Sequence, residues 1–158
     1  MKWVNTYLLK VSIYLAALIV LLLCIFWIPW AAGQLSILNP EYAYMRYPVQ
    51  FGIYLTTIPF FTALYQANKL LVYIENNNAF SDLSIESLRM IKHCAISIVG
   101  LYAIGIALLI SQNALHPSLG LIGLSITFAS IVIAFFAALL QKLLKSVLEI
   151  KSENELTV

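Results

Sequence analysis

Charge is what this chain of 158 residues has least of. Asp, Glu, Lys and Arg together make up 10% of it, against 62% hydrophobic residues. A water-soluble domain carries roughly 25% charged residues, so a protein of this composition cannot clothe itself against water on all sides. The charges are also missing in blocks: none occurs from Val11 to Pro40, from Tyr47 to Asn68, or from His93 to Gln141. A helix needs about 20 apolar residues to cross the hydrocarbon of a bilayer. The first two gaps hold one crossing each. The third is broken by Ser111-Gln112-Asn113 and His116-Pro117-Ser118 and holds two.

Other scarcities narrow the chemistry. With six glycines and no glycine-rich loop, there is no phosphate cradle of the nucleotide-binding kind. The two cysteines, Cys24 and Cys94, fall at different depths of different crossings, which rules out a disulfide; both read as small apolar fillers. The two histidines, His93 and His116, fall on opposite sides of the membrane and share neither a metal nor a proton. No carboxylate lies inside an apolar run, so the signature of proton or ion coupling is missing. A net charge of +2 is too small to point to direct nucleic-acid binding. The expectation is a protein that is not an enzyme and carries neither cofactor nor metal.

The few charges present do set an orientation. With the N-terminus inside, Lys2, Lys10, Lys69, Arg89, Lys92, Lys142, Lys145 and Lys151 are cytoplasmic and Arg46 alone is outside. Positive charge accumulates on the cytoplasmic side, so both termini are expected there. The predicted fold is an all-α, integral membrane four-helix bundle, a single domain in the lipid bilayer of the cell. Its spans are near 9–32, 49–70, 93–112 and 118–141, with short cytoplasmic helix extensions.

Along the chain, Val11–Trp30 is longer than the 7–15-residue core of a signal peptide and reads as an uncleaved span. Leu21-Leu22-Leu23-Cys24 resembles a lipoprotein box, but Leu23 stands where a small residue is needed. Trp3 and Tyr7 mark the inner interface, and Trp27 and Trp30 the outer one. Gln34–Pro48 reads as an outer loop bearing Tyr42, Tyr44 and Tyr47 around Glu41 and Arg46. Pro59 sits inside the second helix, where Thr56 and Thr57 are placed to help satisfy the carbonyl it frees. In the last two spans, small residues recur, notably Ser130, Ala134 and Ala138 at steps of four. That stripe predicts a close approach to a neighbouring helix.

The stretch Leu64–Ala95 interleaves charges, asparagines and apolar residues, and the rest of the chain is arranged about it. Asn76-Asn77-Asn78 predicts a turn, because asparagine tolerates the left-handed conformation that ends helices. Ser81 is placed as an N-cap, and Phe80 and Ile85 have the spacing of a hydrophobic staple. Ile85, Leu88, Ile91 and Ala95 fall on one helix face, and Asp82, Glu86, Arg89 and His93 on the other. Beyond Gln141 the last helix carries Leu143, Leu144, Val147 and Leu148 against Lys142, Lys145 and Glu149. Phe80, Ser81, Leu88, Arg89, Lys92, Lys142 and Lys145 are therefore the candidate partner-binding residues, on the cytoplasmic face.

A leucine-rich helix end, then Asn78-Ala79-Phe80-Ser81, Leu88 and Ile91-Lys92, resembles a bacterial family of small four-span membrane proteins, domain of unknown function 2975. The resemblance implies a four-helix membrane bundle with no defined catalytic residues. Members are often encoded beside a small helix-turn-helix regulator, which implies a membrane-tethered regulatory role with that protein as cytoplasmic partner. A different class of function, immunity or peptide defence, would use the Tyr-rich outer loop to engage an extracellular peptide. Homo-oligomer formation is left open by the sequence.

Overall fold

The apolar runs become long helices joined by short connections. The computed structural model describes residues 2–38, 40–113 and 117–157, and within them the side chains of all but 2–4, 42, 45, 118 and 157. The expectations placed on Lys2, Trp3, Tyr42, His116 and Ser118 therefore lie outside the described residues or side chains. Helix α1 (Lys2–Leu22) passes through a π-helical turn (Leu23–Trp27) into α2 (Ile28–Leu38). A 3₁₀ segment (Pro40–Met45) leads to α3 (Arg46–Glu75), followed by α4 (Asp82–Ser111) and α5 (Pro117–Thr157). Three stretches are long and apolar enough to cross a membrane, by length and composition only: Asn5–Leu38, Asp82–Ser111 and Leu119–Leu156. α3 is as long as α4, with 30 residues each, but Gln50, Thr56, Thr57, Thr62 and Gln66 dilute its apolar character.

The predicted outer loop is mostly helix. Ala31, Ala32 and Leu35 favour continuation, and Ser36 Oγ bonds back to the Gly33 carbonyl at 2.8 Å. Pro40 then opens the 3₁₀ segment, where a missing N–H is harmless.

Pro29 explains the π turn. A proline inside a helix has no N–H and its ring crowds the carbonyl four residues back. The turn ahead of it widens, and the Ile28 N–H reaches back five residues to the Leu23 carbonyl. That bond uses up the α-register donor of the Cys24 carbonyl. Its π-register donor would be Pro29, which has none. Tyr54 of α3 supplies the missing hydrogen instead, donating from its hydroxyl to the Cys24 carbonyl at 2.7 Å.

At the opposite end of this pair, Lys10 Nζ meets Glu75 Oε2 at 2.9 Å, so α1 and α3 run antiparallel. Pro59 is accommodated without a break in α3. Thr56 and Thr57 donate at 2.6 Å to the carbonyls of Ile53 and Tyr54, not to that of Leu55, which Pro59 leaves without its helical donor.

The helices pack as a row in chain order. α4 lies along both α3 and α5, while α1 packs on α3. Among the described residues, α1 and α5 share no extensive contact, so within one chain the helices do not close into the compact bundle expected. In α5 the packed positions are Gly123, Thr127, Ser130, Ala134, Ala137, Gln141, Leu144 and Leu148. These alternate between steps of four and three, the pattern of two helices crossing at a shallow angle. The predicted small-residue stripe runs along this packing: Ser130 is buried, Ala134 and Ala138 are half-buried, and Ala137, 4% exposed, is the most deeply buried small residue beside them. A Cβ on Gly123 would stand 3.2 Å from Ile106 Cδ1, so α5 approaches α4 closely there.

The Tyr54–Cys24 bond yields a prediction. Tyr54→Phe should cost about 1–2 kcal/mol in thermal unfolding in detergent, the range for a lost interhelical bond that strands its acceptor. The same change in a Pro29→Ala background should cost clearly less, because an alanine at that position restores a backbone donor beside the Cys24 carbonyl. Equal losses in both backgrounds would show that the bond does not answer the proline.

Candidate partner-binding face

Chain reversal between α3 and α4 is built by two asparagines and two serines. Asn77 takes the left-handed conformation at φ 60°, and the Asn78 N–H returns to the Tyr73 carbonyl at 2.7 Å. Ser81 is extended (φ −142°, ψ 163°) and caps α4, its Oγ accepting from the Ser84 N–H at 3.3 Å. Ser81 Oγ in turn donates to the Asn78 carbonyl at 2.7 Å, and Ser84 Oγ donates to the same oxygen at 3.1 Å. Ser84 is completely buried. The cap was legible in the sequence. Ser84 and the equally buried Ser87 were not, since serine is compatible with any environment and the apolar face drew attention to Leu88. Their one sequence signal is spacing: Ser84 lies four residues before Leu88 on the packed face.

Phe80, 57% exposed, borders a shallow groove with Val147, Ile150 and Lys151 of α5. Ile85, the predicted staple partner, borders a neighbouring groove with Asp82, Lys145, Leu148 and Glu149. Both grooves exist because α5 overshoots α4. Its end at Thr157 lies roughly ten residues, or about 15 Å, beyond the level of Asp82.

The structure divides the seven candidate residues. Phe80 and Lys145 border the two neighbouring grooves where the turn meets α5, Ser81 is engaged in capping α4, and exposed Lys142 is one turn away from Lys145. Arg89 lies on the solvated face of α4 and pairs with Glu86 at 2.6 Å, while Lys92 is half-buried. Leu88 is 4% exposed and sits inside the helix packing. It holds the layer together and cannot touch a partner, because the apolar face it belongs to is already covered.

Sequence comparisons bear on what this molecule is. The family described as "Protein of unknown function (DUF2975)" matches residues 30–158. The chain belongs to this family. It is also 48% identical over 160 residues, covering 100% of both chains, to the uncharacterized membrane protein YoaS of Bacillus subtilis (strain 168). No solved structure matches it. With its long apolar helices, the chain is a helical membrane protein. The family match begins at Trp30 and so takes in α3, the serine-built turn, α4 and α5. Both cysteines are free, as their separation required.

The buried serine is open to a direct check. Ser84→Leu should lower the thermal stability of the protein in detergent by about 1–3 kcal/mol, the cost of forcing extra methylenes into a packed site. Leu83→Ser, at the exposed neighbouring position, should stay within about 0.5 kcal/mol of wild type.

Proposed function

We propose that this protein is a non-enzymatic, four-span protein of the cell membrane that holds a cytoplasmic protein on the face formed by the α3–α4 turn and the projecting end of α5. The observation that carries the reading is the overshoot of α5. It presents Phe80, Val147 and Ile150 as exposed apolar side chains beside Lys145 and Lys151, at the end where eight of the nine basic residues gather. A small helix-turn-helix regulator, the neighbour that the family resemblance implies, is the partner expected.

α3 serves as the second of the four spans. From Arg46 to Lys69 it is free of charge, a length of about 35 Å, more than the roughly 30 Å of hydrocarbon. The remaining polar groups of this stretch are turned to use: the threonine hydroxyls bond back to their own helix and Tyr54 bonds to α1. Both termini are cytoplasmic in this arrangement and the 3₁₀ segment is outside. The tyrosines of that segment are a weaker candidate for peptide recognition, because the Tyr44 hydroxyl is already engaged, donating to Gln112 Oε1 at 3.2 Å.

Topology is tested first. In a background lacking Cys24 and Cys94, a cysteine replacing exposed Leu38 should react with an impermeant maleimide on intact cells, and one replacing Asn77 should not. The reverse labelling would put the groove on the wrong side of the membrane. The partner is tested by co-expressing the chain with a small helix-turn-helix protein of the kind the family resemblance implies and purifying from membranes. Phe80→Ala with Ile150→Asp should reduce co-purification severalfold while leaving membrane insertion intact, and Tyr44→Ala with Tyr47→Ala should not. If the tyrosine pair mattered and the groove pair did not, the outer surface would be the functional one.

A further inference from the structure

Arg46 opens α3 at the end opposite the serine-built turn. Its Nε is completely buried and has no hydrogen-bond partner. Among the described residues it makes no ion pair, although Glu41 lies only five positions earlier. Its guanidinium rests on aromatic and glycine surfaces instead, 5.2 Å from the centre of the Tyr47 ring and with Nη2 facing Gly33 of α2. A guanidinium keeps its charge in a protein, and a partly buried cation without a counter-ion is costly. An anion from outside the chain would complete it.

One helical turn further along the same face stands Gln50. The single Tyr54 hydroxyl hydrogen is committed to the Cys24 carbonyl, so the Tyr54 oxygen can only accept, and it accepts from Gln50 Nε2 at 3.2 Å. This fixes the orientation of the Gln50 amide and leaves its Oε1 buried and unpartnered. The cluster thus offers a spare charged donor at Arg46 and a spare neutral acceptor at Gln50. Around it, Trp30, Ile37, Leu38, Tyr47 and Phe51 are exposed apolar surface.

We infer that Arg46, Gln50 and Gly33 form a site for a phospholipid whose phosphodiester headgroup carries its own hydrogen-bond donor. The phosphate takes the guanidinium, whose fork matches two phosphate oxygens. Arg46 turns its buried Nε outward to complete that pair, and Gly33, with no side chain beside Nη2, leaves it room to do so. The headgroup hydroxyl or ammonium donates to Gln50 Oε1. The acyl chains lie along the exposed apolar surface, which a soluble phosphate would leave uncovered. This placement is independent of any cytoplasmic partner.

The test uses the full-length purified protein in dodecyl maltoside and measures binding from the shift in thermal unfolding. The probes are dihexanoyl phosphatidylglycerol, dihexanoyl phosphatidylcholine, glycerophosphoglycerol without acyl chains, and inorganic phosphate. Wild type should bind phosphatidylglycerol more tightly than phosphatidylcholine, which has the phosphate but no headgroup donor, and should bind the two soluble phosphates far more weakly. Arg46→Gln should weaken phosphatidylglycerol binding by about tenfold or more, the scale of a charge-assisted bond. Without lipid it should be no less stable than wild type, since it removes an unpaired cation. Gln50→Leu should bring phosphatidylglycerol down to the level of phosphatidylcholine, and Arg89→Gln should change nothing. The site is overturned if Arg46→Gln binds like wild type, or if phosphatidylcholine matches phosphatidylglycerol in wild type. It is equally overturned as a lipid site if a soluble phosphate binds as tightly as the lipid. Should Arg46→Gln fail to fold, the Gln50→Leu comparison decides in either direction.

Discussion

A backbone carbonyl in hydrocarbon must find a donor within the protein, because no water is there to supply one. In this chain the constraint acts on Cys24, whose carbonyl is stranded by the π turn that Pro29 imposes. The Tyr54 hydroxyl answers it, and several features follow from that single bond. It sets where the α1–α2 rod meets α3. It makes the Tyr54 oxygen an acceptor only, which fixes Gln50, and it leaves the Gln50 carbonyl oxygen facing nothing within the chain. A proline in one helix thus decides the hydrogen-bonding state of a glutamine in another.

The interior reflects the same solvent. Among the described residues the buried set comprises the apolar residues Leu71, Leu88, Cys94, Ala95, Ile98 and Ala137, and almost as many hydroxyl residues: Thr6, Thr56, Ser84, Ser87 and Ser130. Large apolar side chains such as Phe128, Ile131 and Phe135 face outward. In water that arrangement would expose an aggregating surface. In lipid, apolar burial supplies no force between helices, and close approach of small residues does the work. α4 is packed on both sides, by α3 and by α5, and carries more of the buried residues than any other helix.

What the sequence revealed, and what it hid, divides along this line. Local signals were readable: the charge-free runs became helices, Asn77 took its left-handed turn, and Ser81 capped α4. Signals that depend on two distant segments were not. Lys10 and Glu75 each looked like ordinary interfacial charges, and nothing in either neighbourhood announces their pairing. Tyr54 reads as one more aromatic residue until the π turn stands opposite it. The small-residue stripe is legible as a repeat of four, but a repeat of four drifts around an α-helix whereas the contact alternates four and three, so the most deeply buried alanine, Ala137, does not stand out in the sequence. Leu88 reads as a candidate partner contact for a related reason: its apolar face is where α4 meets its neighbours, and periodicity identifies a face without naming what covers it.

α3 joins the two regions for which functions are proposed. Arg46 and Gln50 lie at one end of it, while Glu75 at the other is tied to α1 just before the serine-built turn. Any coupling between a headgroup at one end and a protein partner at the other has to obey linkage. A headgroup that binds equally well with and without the partner can shift nothing, however tightly it binds. One that prefers the partner-bound form must raise the partner's affinity by the same factor by which the partner raises its own. The row of helices, open along the outer side of α1, gives such a preference a physical route. α1 is held to α3 by an ion pair at one end and by the Tyr54 bond nearer the other, with little buried surface in between. A change in how α2 sits on Arg46 can therefore alter the seating of α1 without disturbing the α4–α5 pair that carries the groove. Coupling would pass along α3, which packs against α4 through its length and leads into the turn whose Asn78 carbonyl accepts from Ser81 and Ser84 at the cap of α4.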